Sequence, residues 1–148
     1  MKPRYFIWVI LLSVFFVSCS MLQEKLQVKP PLGEYSPVDF EKLITPMFID
    51  DYSNKYVKVN CSFYLKSRVP QGLSDTEYFA FTVKGPSGAF TPEDLDVIGP
   101  KRLADLYLSL RSGDQITVYG QAHQIVERNV AGATYRKLAI MADSIEKR

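Results

Sequence analysis

Apolar and polar residues alternate with period two from Tyr56 to Lys66. Val57, Val59, Cys61, Phe63 and Leu65 fall on one side, and Lys58, Asn60, Ser62, Tyr64 and Lys66 on the other. That alternation predicts a half-buried strand. A second strand is expected over Glu77 to Lys84, with Phe79, Phe81 and Val83 on its inner side. The segment between them, Ser67 to Thr76, holds Pro70, Gly72 and Asp75 and reads as a loop. Asp114 to Glu127 is a long strand with Ile116, Val118, Gly120 and Ala122 on one face, and a glycine in mid-strand marks a bulge or tight bend. Arg128 to Ala133, with Asn129 and Gly132, turns the chain into a last strand over Thr134 to Ile145.

Two segments follow helical spacing instead. Phe40, Leu43, Ile44 and Met47 recur at three and four residues, behind Ser36 as cap, Pro37 in the first turn and Asp39 at the dipole's positive end. Thr45-Pro46 ends or bends this helix, and Asp51 to Asn54 reads as a turn. Leu103, Leu106, Tyr107 and Leu110 form the stripe of a second helix, which Gly113 can terminate. Between Ala89 and Pro100 a short strand is expected at Ala89-Phe90 or at Val97-Ile98.

The first residues follow neither pattern. Lys2 and Arg4 precede an uncharged run, Ile7 to Val17, of signal-peptide length. The run ends in Phe16-Val17-Ser18-Cys19, which resembles the lipobox of bacterial lipoproteins, with Phe16 where leucine is usual. The resemblance implies cleavage after Ser18 and acylation of Cys19 by fatty chains such as palmitate. It implies a bacterial envelope location, on the outer membrane facing the periplasm because Ser20 rather than aspartate follows. An uncleaved anchor over Tyr5 to Leu22 is the alternative. The expected organisation is a signal peptide over 1–18, a polar lipidated tether over 19–35 and one domain over 36–148.

Strand, strand, short strand, helix, long strand, long strand is the element order of the five-stranded OB barrel. Leu110-Arg-Ser-Gly113-Asp114-Gln-Ile-Thr-Val118-Tyr-Gly120 resembles the helix-to-fourth-strand junction of OB domains, and Met141-Ala-Asp-Ser-Ile145-Glu146 their closing strand. Over Lys55 to Glu146 the chain is similar to bacterial lipoproteins with an OB domain of the tRNA-anticodon-binding-like type. The expected fold is therefore mainly β: a Greek-key barrel with a helix between strands 3 and 4 and a short helix before it.

Charge narrows the partners. The net charge of +2 is carried by Lys2 and Arg4; without them 16 Lys+Arg face 16 Asp+Glu. A balanced domain lacks the broad positive field of non-specific nucleic-acid binding. At 47% apolar and 13% aromatic residues the chain can fill a core. If Cys19 carries lipid, Cys61 has no partner and reads as a small buried hydrophobe.

Candidate chemistry is sparse. His123 is the single histidine and has no ligand or base partner by spacing. Glu93, Asp94 and Asp96 lack the EF-hand spacing. No nucleophile–histidine pairing or phosphate loop is present. No catalytic residue, metal or cofactor is therefore expected. OB domains bind across strands 2 and 3, between the loops joining strands 1–2 and 4–5. The residues there are Tyr64, Lys66, Arg68, Tyr78, Arg128, Asn129, Tyr135 and Arg136.

Three functions fit. A non-enzymatic envelope lipoprotein docking a protein partner needs an exposed apolar or aromatic face. A module for oligosaccharide or single-stranded nucleic acid needs Arg68, Arg128 and Arg136 to converge. A metal-dependent hydrolase needs carboxylates gathered in a pocket. The compartment favours the first, with a protein or glycan partner ahead of nucleic acid.

Overall fold

A computed structural model describes residues 31, 34–86, 94–128 and 131–148. The signal segment, Cys19, Glu93, the Ala89-Phe90 alternative for the short strand and Asn129 lie outside the described residues.

Five strands close a barrel: β1 (Tyr56–Ser67), β2 (Tyr78–Lys84), β3 (Leu95–Pro100), β4 (Gln115–Arg128) and β5 (Thr134–Lys147). β1 pairs antiparallel with β4 along its first half and with β2 along its second. β2 pairs with β3, β3 runs parallel to β5, and β5 returns antiparallel to β4. This is the expected OB topology. The short strand takes the Val97-Ile98 alternative.

One strand can serve two neighbours only if it bends, and the bend sits at Tyr64. The β1–β2 register steps from Phe63↔Val83 to Leu65↔Thr82, leaving Tyr64 as an extra residue. An extra residue inverts the alternation beyond it. Leu65, expected inside, is consequently 42% exposed. Lys66 stands opposite the buried Phe81 instead of on the outer side. The second irregularity, between Tyr119 and Gly120, falls where the mid-strand glycine predicted it. A Cβ on Gly120 would run into the Met141 carbonyl oxygen and lie 2.7 Å from Ile140 Cγ2, so only glycine permits this approach of β4 to β5.

The inner faces fill one core. Val57, Val59, Val83, Val97, Ile116, Val118, Phe81 and Ile140 are completely shielded, and each such side chain contributes about 1.5–3 kcal/mol on burial. Cys61 is buried among them, and burial pushes its thiol up to about 12. Lys101–Leu103 forms a 3-10 turn ahead of a helix over Ala104–Ser109. Turn and helix cover one end of the barrel through Leu103, Leu106 and Tyr107. Phe79 and the Tyr107 ring stack at 4.2 Å.

The N-terminal helical segment covers the other end. Ser36–Pro37 does not begin the helix as expected but pairs parallel with β1, and Val38 N donates to the Lys58 carbonyl at 2.9 Å. The helix is Phe40–Ile44, with Asp39 as its N-cap, and stops before Pro46 as expected. Pro46–Phe48 forms a 3-10 turn, so Met47 swings out of the apolar stripe and is 77% exposed. The turn expected at Asp51 is a helical turn over Ile49–Tyr52 that buries Ile49. Tyr35, just before this segment, is buried with its ring edge-on to Tyr56 and Tyr119. Its hydroxyl donates to Asp143 Oδ2 at 2.9 Å.

Candidate functional site

The β1–β2 loop (68–77) is held by its own backbone. Leu73 N donates to the Pro70 carbonyl and Tyr78 N to that of Ser74, while Gly72 supplies the positive φ of 97° that the turn requires. Beyond β2, the Tyr78↔Pro100 pair brings the start of the 3-10 turn to the same end of the sheet. Loop, strand and turn enclose an open groove of about 600 Å³. Its lining includes Arg68, Gln71, Asp75, Tyr78, Lys101 and Tyr107. Lys66 reaches the same place, with Nζ 5.0 Å from the Tyr107 ring centroid.

Electrostatically the groove is positive. Lys66, Arg68 and Lys101 are exposed, and no acidic side chain among the described residues pairs with any of them. Asp75 is the one acid on the lining. Burial raises the Tyr107 hydroxyl above its ordinary value, so this ring stays neutral at physiological pH.

The outer face of β2 and β3, where OB domains bind, is built differently. Ala80, Ile98 and Ala139 are buried there beneath Val69, Tyr78, Ile125 and Met141. Toward the β4–β5 turn, Lys137 Nζ lies 2.6 Å from Asp96 Oδ2 and 2.8 Å from Glu127 Oε1. The Tyr135 hydroxyl donates to Glu127 Oε2 at 2.6 Å. Burial acts to lower the Lys137 ammonium, but its bonds to Asp96 and Glu127 outweigh it and its pKa is raised. Burial acts to raise Glu127, yet the bonds from Lys137 and Tyr135 hold it below the ordinary carboxylate range. These charges satisfy one another.

The expected site residues therefore divide. Lys66, Arg68 and Tyr78 come together at the groove. Tyr64 sits elsewhere, with Lys84 Nζ 4.1 Å over its ring. Arg128 Nε donates to the Gly132 carbonyl within its own hairpin. Arg136 reaches Asp50 Oδ1 and Gln124 Oε1, each at 3.4 Å. Among the described residues no contact joins Arg68, Arg128 and Arg136 into one site. Lys101 and Tyr107 were not foreseen there, because Tyr107 reads as part of a core stripe. The barrel topology carries the missing signal, since the loop after strand 1 and the turn after strand 3 share an end of the sheet.

Among the described residues no three His, Cys, Asp or Glu side chains are placed to hold a metal ion. Asp94 faces Lys84 at 3.7 Å while Asp96 faces Lys137. His123 Nε2 pairs with Gln121 Oε1 at 3.1 Å, and burial lowers its pKa, so it is neutral at pH 7.

No protein-family model matches the sequence, and no curated protein matches it. Solved structures do share its shape. A putative aspartyl-tRNA synthetase from Leishmania major Friedlin superposes with a TM-score of 0.53 at 10% identity, over 88% of this chain and 26% of that one. An aspartyl-tRNA synthetase from Entamoeba histolytica gives 0.53 at 12% identity, over 82% of this chain and 23% of that one. The chain thus spans about a quarter of either synthetase. Likeness at such identity establishes architecture alone: the domain is an OB-fold.

Proposed function

We propose that this protein is a non-catalytic binding module that takes a flexible anionic polymer, a single-stranded oligonucleotide or an acidic oligosaccharide, in the groove beneath the β1–β2 loop. One observation carries the reading: Arg68 and Lys101 line one open groove with Tyr78 and Tyr107, Lys66 reaches the Tyr107 ring, and none of the three cations has an acidic partner among the described residues. Cations neutralise a backbone, and an aromatic ring gives a base or sugar ring a flat surface, at about 1–3 kcal/mol per stacked base. The synthetases named above have tRNA in their names. At their low identity that likeness adds a compatible fold, and the ligand class rests on this chain's own groove.

Docking of a protein partner is less well supported. Among the described residues the most exposed large apolar ones, Met47, Leu108 and Val126, stand on three different elements. The expected attachment through lipid on Cys19 remains part of the proposal, on the strength of the signal pattern alone. Cys19→Ala should release the protein from the membrane fraction, and retention would favour the uncleaved anchor.

The test is a titration of the full chain with a short single-stranded oligonucleotide, an acidic oligosaccharide and a neutral oligosaccharide at two salt concentrations. Three phosphate contacts give log K a slope of about −2 against log salt. Affinity for the oligonucleotide should fall about fifteen-fold from 50 to 200 mM salt. Failure of both acidic polymers to bind, or equal binding of the neutral one, would refute the reading.

A further inference from the structure

The two tyrosines on the groove lining differ in what already touches their rings. Tyr107 belongs to a layered column that starts inside the sheet. Phe79 pairs with Gly99 across β2 and β3, and the end of its ring lies where a side chain on Gly99 would stand. A Cβ there would run into Phe79 Cζ and sit 2.7 Å from Cε2, so the missing side chain gives the ring its seat. Tyr107 stacks on this buried ring, with centroids 4.2 Å apart and planes 14° from parallel. Phe79 thus takes one face of Tyr107. Lys66 Nζ, 5.0 Å over the same ring, is left the other. Among the described residues no ring or ammonium covers Tyr78.

An ammonium is attracted to the negative face of an aromatic ring. A free lysine side chain loses rotamer freedom when it reaches for an anion, and that loss weakens binding. A ring braced by Phe79 holds the ammonium in place beforehand. The contact occupies one side of the ammonium and leaves donors for an oxyanion.

We infer that Tyr107 is a positioning residue, whose ring holds the Lys66 ammonium ready for the anionic groups of the ligand, and that the ring the ligand itself meets is Tyr78. The inference rests on the groove reading proposed above and divides the labour within it.

The test compares a short oligothymidylate with an abasic phosphodiester of the same length, each titrated into the full chain. Tyr107→Leu should weaken both about threefold, because an anion contact suffers whether or not bases are present. Tyr107→Phe should restore both. Lys66→Met should also weaken both, and Tyr107→Leu added to it should cost nothing further. Tyr78→Leu should weaken the oligothymidylate alone, about tenfold. In the free protein the Lys66 Hε protons should resonate upfield of the free-lysine value, and Tyr107→Leu should remove that shift. A loss confined to the oligothymidylate in Tyr107→Leu, additive losses in the double variant, equal effects of Tyr78→Leu on both probes, or unshifted Hε protons would overturn the inference. The last needs no variant and decides even if Tyr107→Leu does not fold. Binding of neither probe, nor of an acidic oligosaccharide, by the unaltered protein would instead sink the groove reading, and the inference with it.

Discussion

The outer face of β2–β3 and the groove beneath the β1–β2 loop adjoin each other, sharing Val69, Tyr78 and Ala80, yet they spend their side chains in opposite ways. On the outer face Ala80, Ile98 and Ala139 are covered, and every charge in the Asp96–Lys137–Glu127 set has a partner. In the groove the cations are exposed and lack acidic partners among the described residues. The first arrangement stabilises the fold and leaves little for a ligand. The second contributes little to stability, because exposed charges seldom do, and leaves bonding capacity unused. A barrel of this shape can thus move its binding capacity from one side of a strand end to the other without changing topology.

If that contrast holds, substitutions on the two sides should separate stability from affinity. The largest effect belongs to the closed face. Ile98→Ala removes a side chain that is only 2% exposed, and such truncations cost about 2–5 kcal/mol. Chemical denaturation should show this loss, while oligonucleotide affinity of the folded protein stays within twofold of the original. A parallel loss of affinity would mean that the outer face is part of the site.

Next comes the ion set. Lys137→Met keeps the aliphatic stem but strands Asp96, whose side chain is 15% exposed, and should cost about 1–2 kcal/mol. Its pH dependence has a definite sign. Glu127 is depressed in the folded state, so its contribution is complete above the unfolded value of about 4.3 and is lost as pH falls through the folded value. Lys137 is raised, so its contribution is complete below about 10.4 and is lost as pH rises through the folded value. The contribution of this ion set should therefore be level between roughly pH 5 and 10 and fall on both sides. Lys137→Met should flatten both shoulders. Unchanged shoulders in the variant would show that other groups set them.

How much of this contrast was legible beforehand depends on whether one strand or several had to be read. Alternation along β1, β2 and β4 placed Val57, Phe81 and Val118 inside, because a period-two pattern is local. Gly120 announced its bulge, since a missing side chain in mid-strand has few other uses. The Tyr64 bulge left no such mark. Tyrosine fits a regular strand, so Leu65 and Lys66 were assigned to the wrong sides. Met47 was misassigned because helical spacing continued past Pro46 while the helix did not. The groove needed a different kind of information. Lys101 and Tyr107 lie more than thirty residues from Arg68 in sequence, and only the pairing of β2 with β3 brings them together.

A smaller effect should come from the groove itself. Arg68→Ala with Lys101→Ala should leave stability within about 0.5 kcal/mol, as expected of exposed positions. Oligonucleotide affinity should fall about tenfold, near 1.4 kcal/mol, and the salt slope should drop from about −2 to about −0.7. A tenfold loss without a change in slope would point to a disturbed loop rather than to lost phosphate contacts.

The smallest effect is the most discriminating. Arg136 is one of the three arginines that the loop positions alone would bring to a common site. Its guanidinium instead reaches Asp50 and Gln124, both exposed, at 3.4 Å. An ion pair that long and that wet contributes a few tenths of a kcal/mol at most. Arg136→Ala should therefore change neither unfolding nor oligonucleotide affinity beyond twofold, and the salt slope should stay where it was. Arg68→Ala alone, at the same nominal loss of one charge, should lower the slope by about 0.7. Equal losses from the two single variants would mean that the long-range field, which sees only total charge, governs binding. Unequal losses would place the contacts at the groove, where Arg68 has no acidic partner among the described residues.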